Sequence, residues 1–339
     1  MIIYHSLIRL KEIVKARKTD MVVLVTSAVL AKKLGWAIQK IKKLALPKLV
    51  IITIPDGEKA KSWENAGKLL DKFLELHLTK KSLVLAMGGG SVSDSVGFVC
   101  SIYKRKGLAY INIPTTLLAQ VDASIGGKTA VNRKKIKNPA GSFYKPIAMI
   151  LVSRFLGSLS RGQLIEGLAE IIKAGFVGDS TILYMLESCD TEKLLQRPTL
   201  ICKLILKAVN VKRRLVAEDF RDNGVRQFLN FGHTIGHAIE LKYGLSHGVS
   251  VLIGMMRELQ IFEQLGIKTT TARTRLGKLF FRFGINLDFN RFAVDVRLIL
   301  HDKKISGEKI FLPVVENVGK ARLVEVKLDK LMVAIKKCN

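Results

Sequence analysis

A doubly wound parallel α/β domain followed by an all-α domain is the fold this sequence predicts. Short apolar runs alternate with helical periodicity through roughly the first 150 residues. Gly and Pro clusters close several of those runs. Beyond about residue 155, helical patterns dominate and continuous apolar runs become rare until Lys309–Val315. Strand–helix–strand order of the first kind builds a parallel sheet of the Rossmann-like type, with ligands at the carboxyl ends of the strands.

The elements follow in order. Met21–Val25 is an apolar strand, and Ala28–Ile41 has helical character. Leu49–Ile54 is a second strand, ended by Pro55-Asp56-Gly57. Ser62–His77 is helical, and Ser82–Met87 is a third strand that runs into Gly88-Gly89-Gly90. The next helix is expected to start near Asp94 and to cover Ser95–Tyr103. Leu108–Ile113 is a strand stopped by Pro114. In the second half Gln163–Phe176, Thr181–Leu186, Leu194–Ala217, His233–Tyr243 and Val249–Gln264 are expected as helices. The boundary is set near Arg154, giving domains 1–154 and 155–339, with the active site expected in the cleft between them.

Composition limits the function classes. The chain has 339 residues, 48% of them hydrophobic, which is enough for a large core. No apolar run approaches the ~20 residues of a membrane span. Met1 to Lys18 alternates apolar and basic residues and lacks the apolar core of a secretory signal, so a cytoplasmic protein is expected. The four cysteines form no C-x-x-C pair, which argues against a disulfide framework or a thiolate metal site. Lys and Arg number 56 against 28 Asp and Glu, a net charge of +28. Such a balance would suit a polyanion partner. The basic residues, however, fall in short scattered clusters such as Lys40, Lys42 and Lys43 or Lys212, Arg213 and Arg214, without a zinc finger, RNP-like motif or long basic arm. A basic surface with an anion-binding active site is the simpler expectation.

Four stretches carry chemistry. Gly88-Gly89-Gly90 joins a buried strand to a helix, where glycine lets the backbone approach a pyrophosphate and the helix N-terminus favours its charge. Its spacing is not G-x-G-x-x-G. Three of the six histidines, His233, His237 and His247, fall within 15 residues. His233 and His237 are four apart and share a helix face, which suits two ligands of one metal, or one ligand and one substrate contact. Glu170 and Lys173 share a face of an apolar helix; they form either a surface ion pair or an inward-facing ligand with its neighbour. A glutamate with two histidines and an open position is a catalytic metal set. The fourth stretch runs from Pro114-Thr115-Thr116 through Gln120-Val121-Asp122 and Gly126-Gly127-Lys128 to Lys137-Asn138, polar loop residues after a strand end.

Taken in order, the blocks resemble the successive signatures of 3-dehydroquinate synthases. They are Gly88-Gly89-Gly90 with Asp94, Pro114 to Asp122, Gly126 to Asn132, Gly167-Leu168-Ala169-Glu170, Leu229 to Ala238, and Ser246-His247-Gly248. Their order and spacing match over nearly the whole chain. The resemblance implies that Glu170, His233 and His247 are metal ligands, with zinc the usual ion and cobalt a possible one, and that His237 contacts a substrate phosphate. It implies substrate binding by Asp122, Lys128, Asn138, Lys173, Lys212, Arg226 and Asn230, and by one lysine of Asp302-Lys303-Lys304, of which Lys303 is favoured. It implies NAD contacts at Glu58, Lys61, Gly89, Gly90, Asp94, Thr115, Thr116, Lys128 and Lys137. Arg105 resembles an arginine donated across a homodimer interface.

The reaction so implied converts 3-deoxy-D-arabino-heptulosonate 7-phosphate to 3-dehydroquinate and phosphate, a step of the shikimate pathway to aromatic amino acids. It proceeds by transient NAD oxidation, phosphate elimination, re-reduction and intramolecular aldol closure. A substrate with a carboxylate and a phosphate suits a pocket rich in lysine and arginine. The sequence departs from the family at Ser91 and Ser93, where a small apolar residue and a glycine are common. It departs again at Val249, where an acidic residue is usual, at Phe220 and Asp222, where glutamates are common, and by one residue inserted between Arg105 and Pro114. If Ser93 needs no left-handed backbone, its hydroxyl is expected to cap the helix beginning near Asp94. Three other readings compete: a cyclase acting on a sugar phosphate without the carboxylate, a metal-dependent alcohol dehydrogenase, and a basic nucleic-acid-binding protein on an old enzyme fold. Asn230 with the Lys303-Lys304 pair opposes the first, the many phosphate-binding cations the second, and the intact ligand set the third.

Overall fold

In the computed structural model the apolar runs of the first half lie side by side as parallel strands. The structure describes residues 2–134, 136–190, 194, 196–285, 288–299 and 305–339. The chain divides into two units, Met1–Leu164 and Ile165–Asn339.

The strands of the first unit are β1 (Ile2–Tyr4), β2 (Val22–Ser27), β3 (Leu49–Ile54), β4 (Leu83–Gly88), β5 (Ala109–Pro114), β6 (Lys128–Arg133), β7 (Ile136–Phe143) and β8 (Ala148–Ile150). Six of them form one sheet in the order β1-β8-β5-β4-β2-β3, and every pairing in it is parallel. Every residue of β2 and β4 is buried, as expected for strands covered on both faces. Successive residues face opposite layers. Val23, Val25, Val84 and Ala86 pack with Leu69, Phe73, Val96 and Val99 of the helices Trp63–Glu75 and Gly90–Ile102. Val22, Leu24, Leu83 and Leu85 pack on the other face with Leu10, Val14, Ile38 and Ile41 of the helices Arg9–Ala16 and Gly35–Lys42. From β2 the chain steps outward to β3, then returns to β4 and proceeds the other way to β5. The order therefore reverses between β2 and β4, and the crevice at their carboxyl ends is where an open parallel sheet binds ligands. Gly88-Gly89-Gly90 stands there.

The structure changes several local expectations. Ala28–Ile41 is two helices, Ala28–Lys33 and Gly35–Lys42, interrupted at Leu34. The helix expected near Asp94 begins at Gly90. The stretch after Gly126-Gly127, expected as loop, is an antiparallel hairpin of β6 and β7.

The second unit is mainly helical, with helices Arg161–Val177, Thr181–Glu187, Pro198–Glu218, His233–Tyr243, His247–Gln264, Thr270–Arg282 and Leu328–Cys338. An antiparallel sheet joins them, β9 (Ile305–Ser306), β10 (Lys309–Asn317) and β11 (Lys320–Lys327), where the apolar run Lys309–Val315 lies. Its core brings Ile235, Ile239, Ile253 and Phe262 against Leu312, Val314, Leu331 and Ile335.

Candidate functional site

Helix Arg161–Val177 is apolar around most of its circumference, and Ala169, Ile171, Ile172 and Phe176 are fully buried. Glu170 lies on the same enclosed stretch and is 3% exposed. Lys173, one turn on, is 2% exposed and forms an ion pair with Glu170 Oε2. Beyond that pair neither Glu170 oxygen receives a hydrogen bond from the described residues. Burial pushes the carboxyl up, but the Lys173 ammonium and His247 outweigh it and hold the group down at about 2.

Two histidines face the same oxygen. His233 Nε2 lies 3.6 Å and His247 Nε2 3.8 Å from Glu170 Oε1. These separations are too long for hydrogen bonds. They match ligand atoms around one ion, since donors ~2.0–2.1 Å from a tetrahedral zinc stand about 3.4 Å apart. The ligand atoms of Glu170, His233 and His247 all lie within 4.8 Å of one another. Each ring is held at its far nitrogen: His233 Nδ1 is 3.3 Å from the Phe231 carbonyl oxygen and His247 Nδ1 is 3.3 Å from Glu240 Oε2. Burial lowers the His247 pKa, but Glu170 and Glu240 raise it further, to about 10. An orphaned buried carboxylate oxygen facing two imidazoles is a donor set that fits a divalent metal.

The helix crossing that creates this geometry depends on glycine. His233 opens one helix and His247 the next. Gly232, before His233, has φ +79, and a Cβ there would lie 2.7 Å from the Val251 carbonyl oxygen. A Cβ on Gly254 would lie 2.6 Å from the Gly236 nitrogen and would overlap the Gly232 carbonyl oxygen. The His233 helix has no side-chain cap of its own. Glu258, 1% exposed, supplies one from the neighbouring helix: Gly232 N–H donates to its Oε2 at 2.7 Å and Ile235 N–H to its Oε1 at 3.4 Å. Glu166 Oε2 accepts from Gly248 N–H at 2.8 Å, fixing the start of the His247 helix.

The other expected groups of this unit lie around that core. The His237 ring centroid is 5.4 Å from that of His233 and 6.1 Å from that of His247. Lys212 and Arg226 are buried, at 8% and 3% exposure. The Arg226 guanidinium donates to the Phe220 carbonyl oxygen at 2.6 Å, so Phe220 serves through its backbone. Asp219 accepts backbone N–H groups of Asn223, Gly224 and Arg226 at 3.1, 2.6 and 3.2 Å and shapes the turn before Asn230. Lys303 lies outside the described residues.

In the first unit the N–H groups at the start of helix Gly90–Ile102 open at the end of β4, and Gly89 is its N-cap. Glu58 accepts from Ser91 Oγ at 3.0 Å and from Asn132 Nδ2 at 2.6 Å, tying the glycine turn to the hairpin. Lys61, 8% exposed, forms an ion pair with Asp94. Thr115 is buried, and its Oγ1 has no hydrogen-bond partner among the described residues, while Thr116 Oγ1 accepts from Ala119 N–H at 3.1 Å. Asp122 sits in a π-type turn, Ala119–Ala123, a local widening common at functional sites. Lys128 and Lys137 are exposed on the two hairpin strands; Asn138, at φ +56, donates its N–H to Asn132 Oδ1 at 2.9 Å. Arg105 is exposed in a turn at φ +62.

Ser93 corrects the capping expectation. Because the helix starts at Gly90, Ser93 is already inside it, and its N–H bonds to the Gly89 carbonyl at 3.1 Å. Its buried hydroxyl instead meets Ser124 Oγ at 3.2 Å.

Residues 51–166 match the 3-dehydroquinate synthase N-terminal family model and residues 167–305 the C-terminal one. The 3-dehydroquinate synthase of Streptococcus mutans serotype c is 37% identical over 290 residues, 84% of this chain and 81% of that one. That of Enterococcus faecalis strain OG1RF is 36% identical over 315 residues, 91% of this chain and 87% of that one. The chain belongs to the 3-dehydroquinate synthase family. Among solved structures, 2-epi-5-epi-valiolone synthase from Streptomyces hygroscopicus, with NAD+ and Zn2+ bound, is similar at TM-score 0.85 and 22% identity, over 99% of this chain and 95% of that one. A 2-deoxy-scyllo-inosose synthase complexed with carbaglucose-6-phosphate, NAD+ and Co2+ is similar at TM-score 0.84 and 21% identity, over 99% and 96%. At that identity these two likenesses show the fold. Membership of the 3-dehydroquinate synthase family is also what the order of the sequence blocks implied. Glu240, Glu258, Glu166 and Asn132 are the structural partners that reasoning from sequence missed. The signal for Glu258 was an acidic residue in an apolar helix.

Proposed function

We propose that this chain converts 3-deoxy-D-arabino-heptulosonate 7-phosphate to 3-dehydroquinate and phosphate, using NAD and a divalent metal held by Glu170, His233 and His247. The observation that carries the proposal is the buried Glu170 oxygen faced by two imidazole nitrogens at 3.6 and 3.8 Å, in a chain of this family. When bound, NAD exchanges a hydride with the substrate and the metal draws electron density from substrate oxygens.

The chain's own residues do the rest. Glu58, Lys61, Gly89, Gly90, Asp94, Thr115, Thr116, Lys128 and Lys137 would hold the cofactor, the N–H groups at the start of helix Gly90–Ile102 being suited to its pyrophosphate. Asp122, Lys128, Asn138, Lys173, Lys212, Arg226, Asn230, His237 and Lys303 bind the substrate. Buried cations are suited to its carboxylate and phosphate, because low dielectric strengthens their attraction. Lys173 has a second role, keeping Glu170 ionised and so ready to bind a cation. Domain 1–154 serves the cofactor and supplies Asp122, Lys128 and Asn138 to the substrate, and 155–339 serves the metal and the rest of the substrate. Zinc is the preferred ion, with cobalt able to replace it. The protein is a cytoplasmic homodimer in which Arg105 of each subunit serves its partner's site.

Removing one imidazole tests the proposal. Metal-stripped His233→Ala protein is expected to keep its fold, bind zinc weakly and show no activity on re-addition of zinc. Full activity of that variant would contradict the proposal.

A further inference from the structure

We propose that Glu240 is a positioning residue for His247; the proposal rests on the reading of Glu170, His233 and His247 as metal ligands. Glu240 lies on helix His233–Tyr243, and His247 opens the following helix. Glu240 Oε2 stands 3.3 Å from His247 Nδ1, while Nε2 of the same ring faces Glu170 Oε1 at 3.8 Å. An imidazole that donates Nδ1–H to a carboxylate carries its lone pair on Nε2. Glu240 thus selects the tautomer and the ring rotation that aim Nε2 at the metal position.

The second histidine ligand makes the need for Glu240 plain. His233 Nδ1 has the same kind of partner, the Phe231 carbonyl oxygen at 3.3 Å, but that oxygen belongs to the backbone. The His233 side chain is also better enclosed, at 13% exposure against 31% for His247. Packing restrains His247 less, so its orientation depends more on one hydrogen bond. Glu240 also has a rival role. His237, Glu240 and His247 form a second set whose ligand atoms lie within 4.8 Å of one another, in which Glu240 would be a ligand itself.

Cobalt titration of the metal-free full-length chain separates these roles. The variants are Glu240→Leu, which keeps volume but has no acceptor, Glu240→Gln, which keeps the acceptor, and His233→Ala as the control for the ligand set. Cobalt affinity is read from visible absorption, and folding from thermal melts of the metal-free forms. Glu240→Leu is expected to lose about 10- to 100-fold in cobalt affinity, the usual range for such outer partners. Its metal-free form should still melt in one cooperative transition, lowered only by loss of the Glu240–His247 pair, and at saturation its spectrum should match the parent's. Glu240→Gln should bind within about threefold of the parent, a difference of only ~0.65 kcal/mol. Parent-like affinity in Glu240→Leu, or equal losses in both Glu240 variants, overturns the positioning role. A changed spectrum at saturation overturns it in favour of Glu240 as a ligand. If His233→Ala binds cobalt like the parent, the ligand reading itself falls and takes the proposal with it.

Discussion

Burying an ionised carboxylate as deeply as Glu170 costs several kcal/mol unless cations face it. Lys173 and His247 do so, and Glu170 and His247 set the acid and base limits of the metal-free protein. Glu170 is lowered from 4.5 to about 2, so its contribution to stability is complete above about 4.5 and lost as pH falls toward 2. His247 is raised from 6.5 to about 10, so its contribution is complete below 6.5 and lost as pH rises through 10. Urea unfolding of metal-free protein should therefore give greatest stability between about pH 4.5 and 6.5 from this pair. Lys173→Met leaves the carboxylate without its nearest cation, and should destabilise metal-free protein by roughly 3–5 kcal/mol at pH 6. A loss below ~1 kcal/mol would show that the ion pair is not holding the charge. Of the proposed ligands, Glu170 stands out in the sequence because a glutamate in an apolar helix is costly to bury unless a cation faces it. The four-residue spacing marks His233 with His237 and does not decide between them and His247; the choice of His247 comes from the family resemblance. Glu258 shows in the sequence only as an acidic residue in an apolar helix; its role, like that of Glu240, is not legible there because it exists only where two helices cross. Ser93 was misjudged because serine suits a cap, while Gly89 and Gly90 had already begun the helix.

The crossing of the His233 and His247 helices is a backbone-to-backbone contact that only hydrogen atoms on Cα can permit. Gly254→Ala puts a Cβ into the Gly232 carbonyl oxygen and within 2.6 Å of the Gly236 nitrogen. The helices must move apart, carrying His233 from Glu170, so thermal stability and metal affinity should fall together. Gly67→Ala is the control: it lies in helix Trp63–Glu75 with nothing within 4 Å of the added Cβ. That change should stabilise by about 0.5–1 kcal/mol in the same melts. Parent-like metal affinity in Gly254→Ala would show that the glycine crossing does not set the ligand geometry. Among the elements, the buried parallel strands are read readily from sequence, since β2 and β4 are apolar throughout most of their length. The hairpin escapes because β7 is half- to fully exposed along its whole length, leaving no apolar alternation to find. β1 and β8, of three residues each, are too short to show a pattern; β8 is made by pairing with β5 and β1, and β1 by pairing with β8.

Across the whole molecule the charge of +28 is the property the fold explains least. Lys61 and Lys173 are balanced by Asp94 and Glu170, so they add nothing to the excess; the buried cations Lys212 and Arg226 are a small part of it. The remainder is spread over the surface in short clusters. Binding to duplex DNA or RNA should therefore be weak, without sequence preference, and steeply lost as salt rises. Salt-resistant, sequence-selective binding in a filter or anisotropy assay would contradict this and give the charge a purpose. Among the described residues no helix is long and apolar enough to cross a membrane. The proposed reaction is tested most directly by supplying the purified, zinc-loaded chain with 3-deoxy-D-arabino-heptulosonate 7-phosphate and substoichiometric NAD, and following phosphate, 3-dehydroquinate and absorbance from NADH together. Phosphate and 3-dehydroquinate are expected in equal amounts, many of each per NAD, with no steady growth of NADH. NADH accumulating in proportion to substrate consumed, without release of phosphate, would mark a simple dehydrogenase and contradict the proposed reaction.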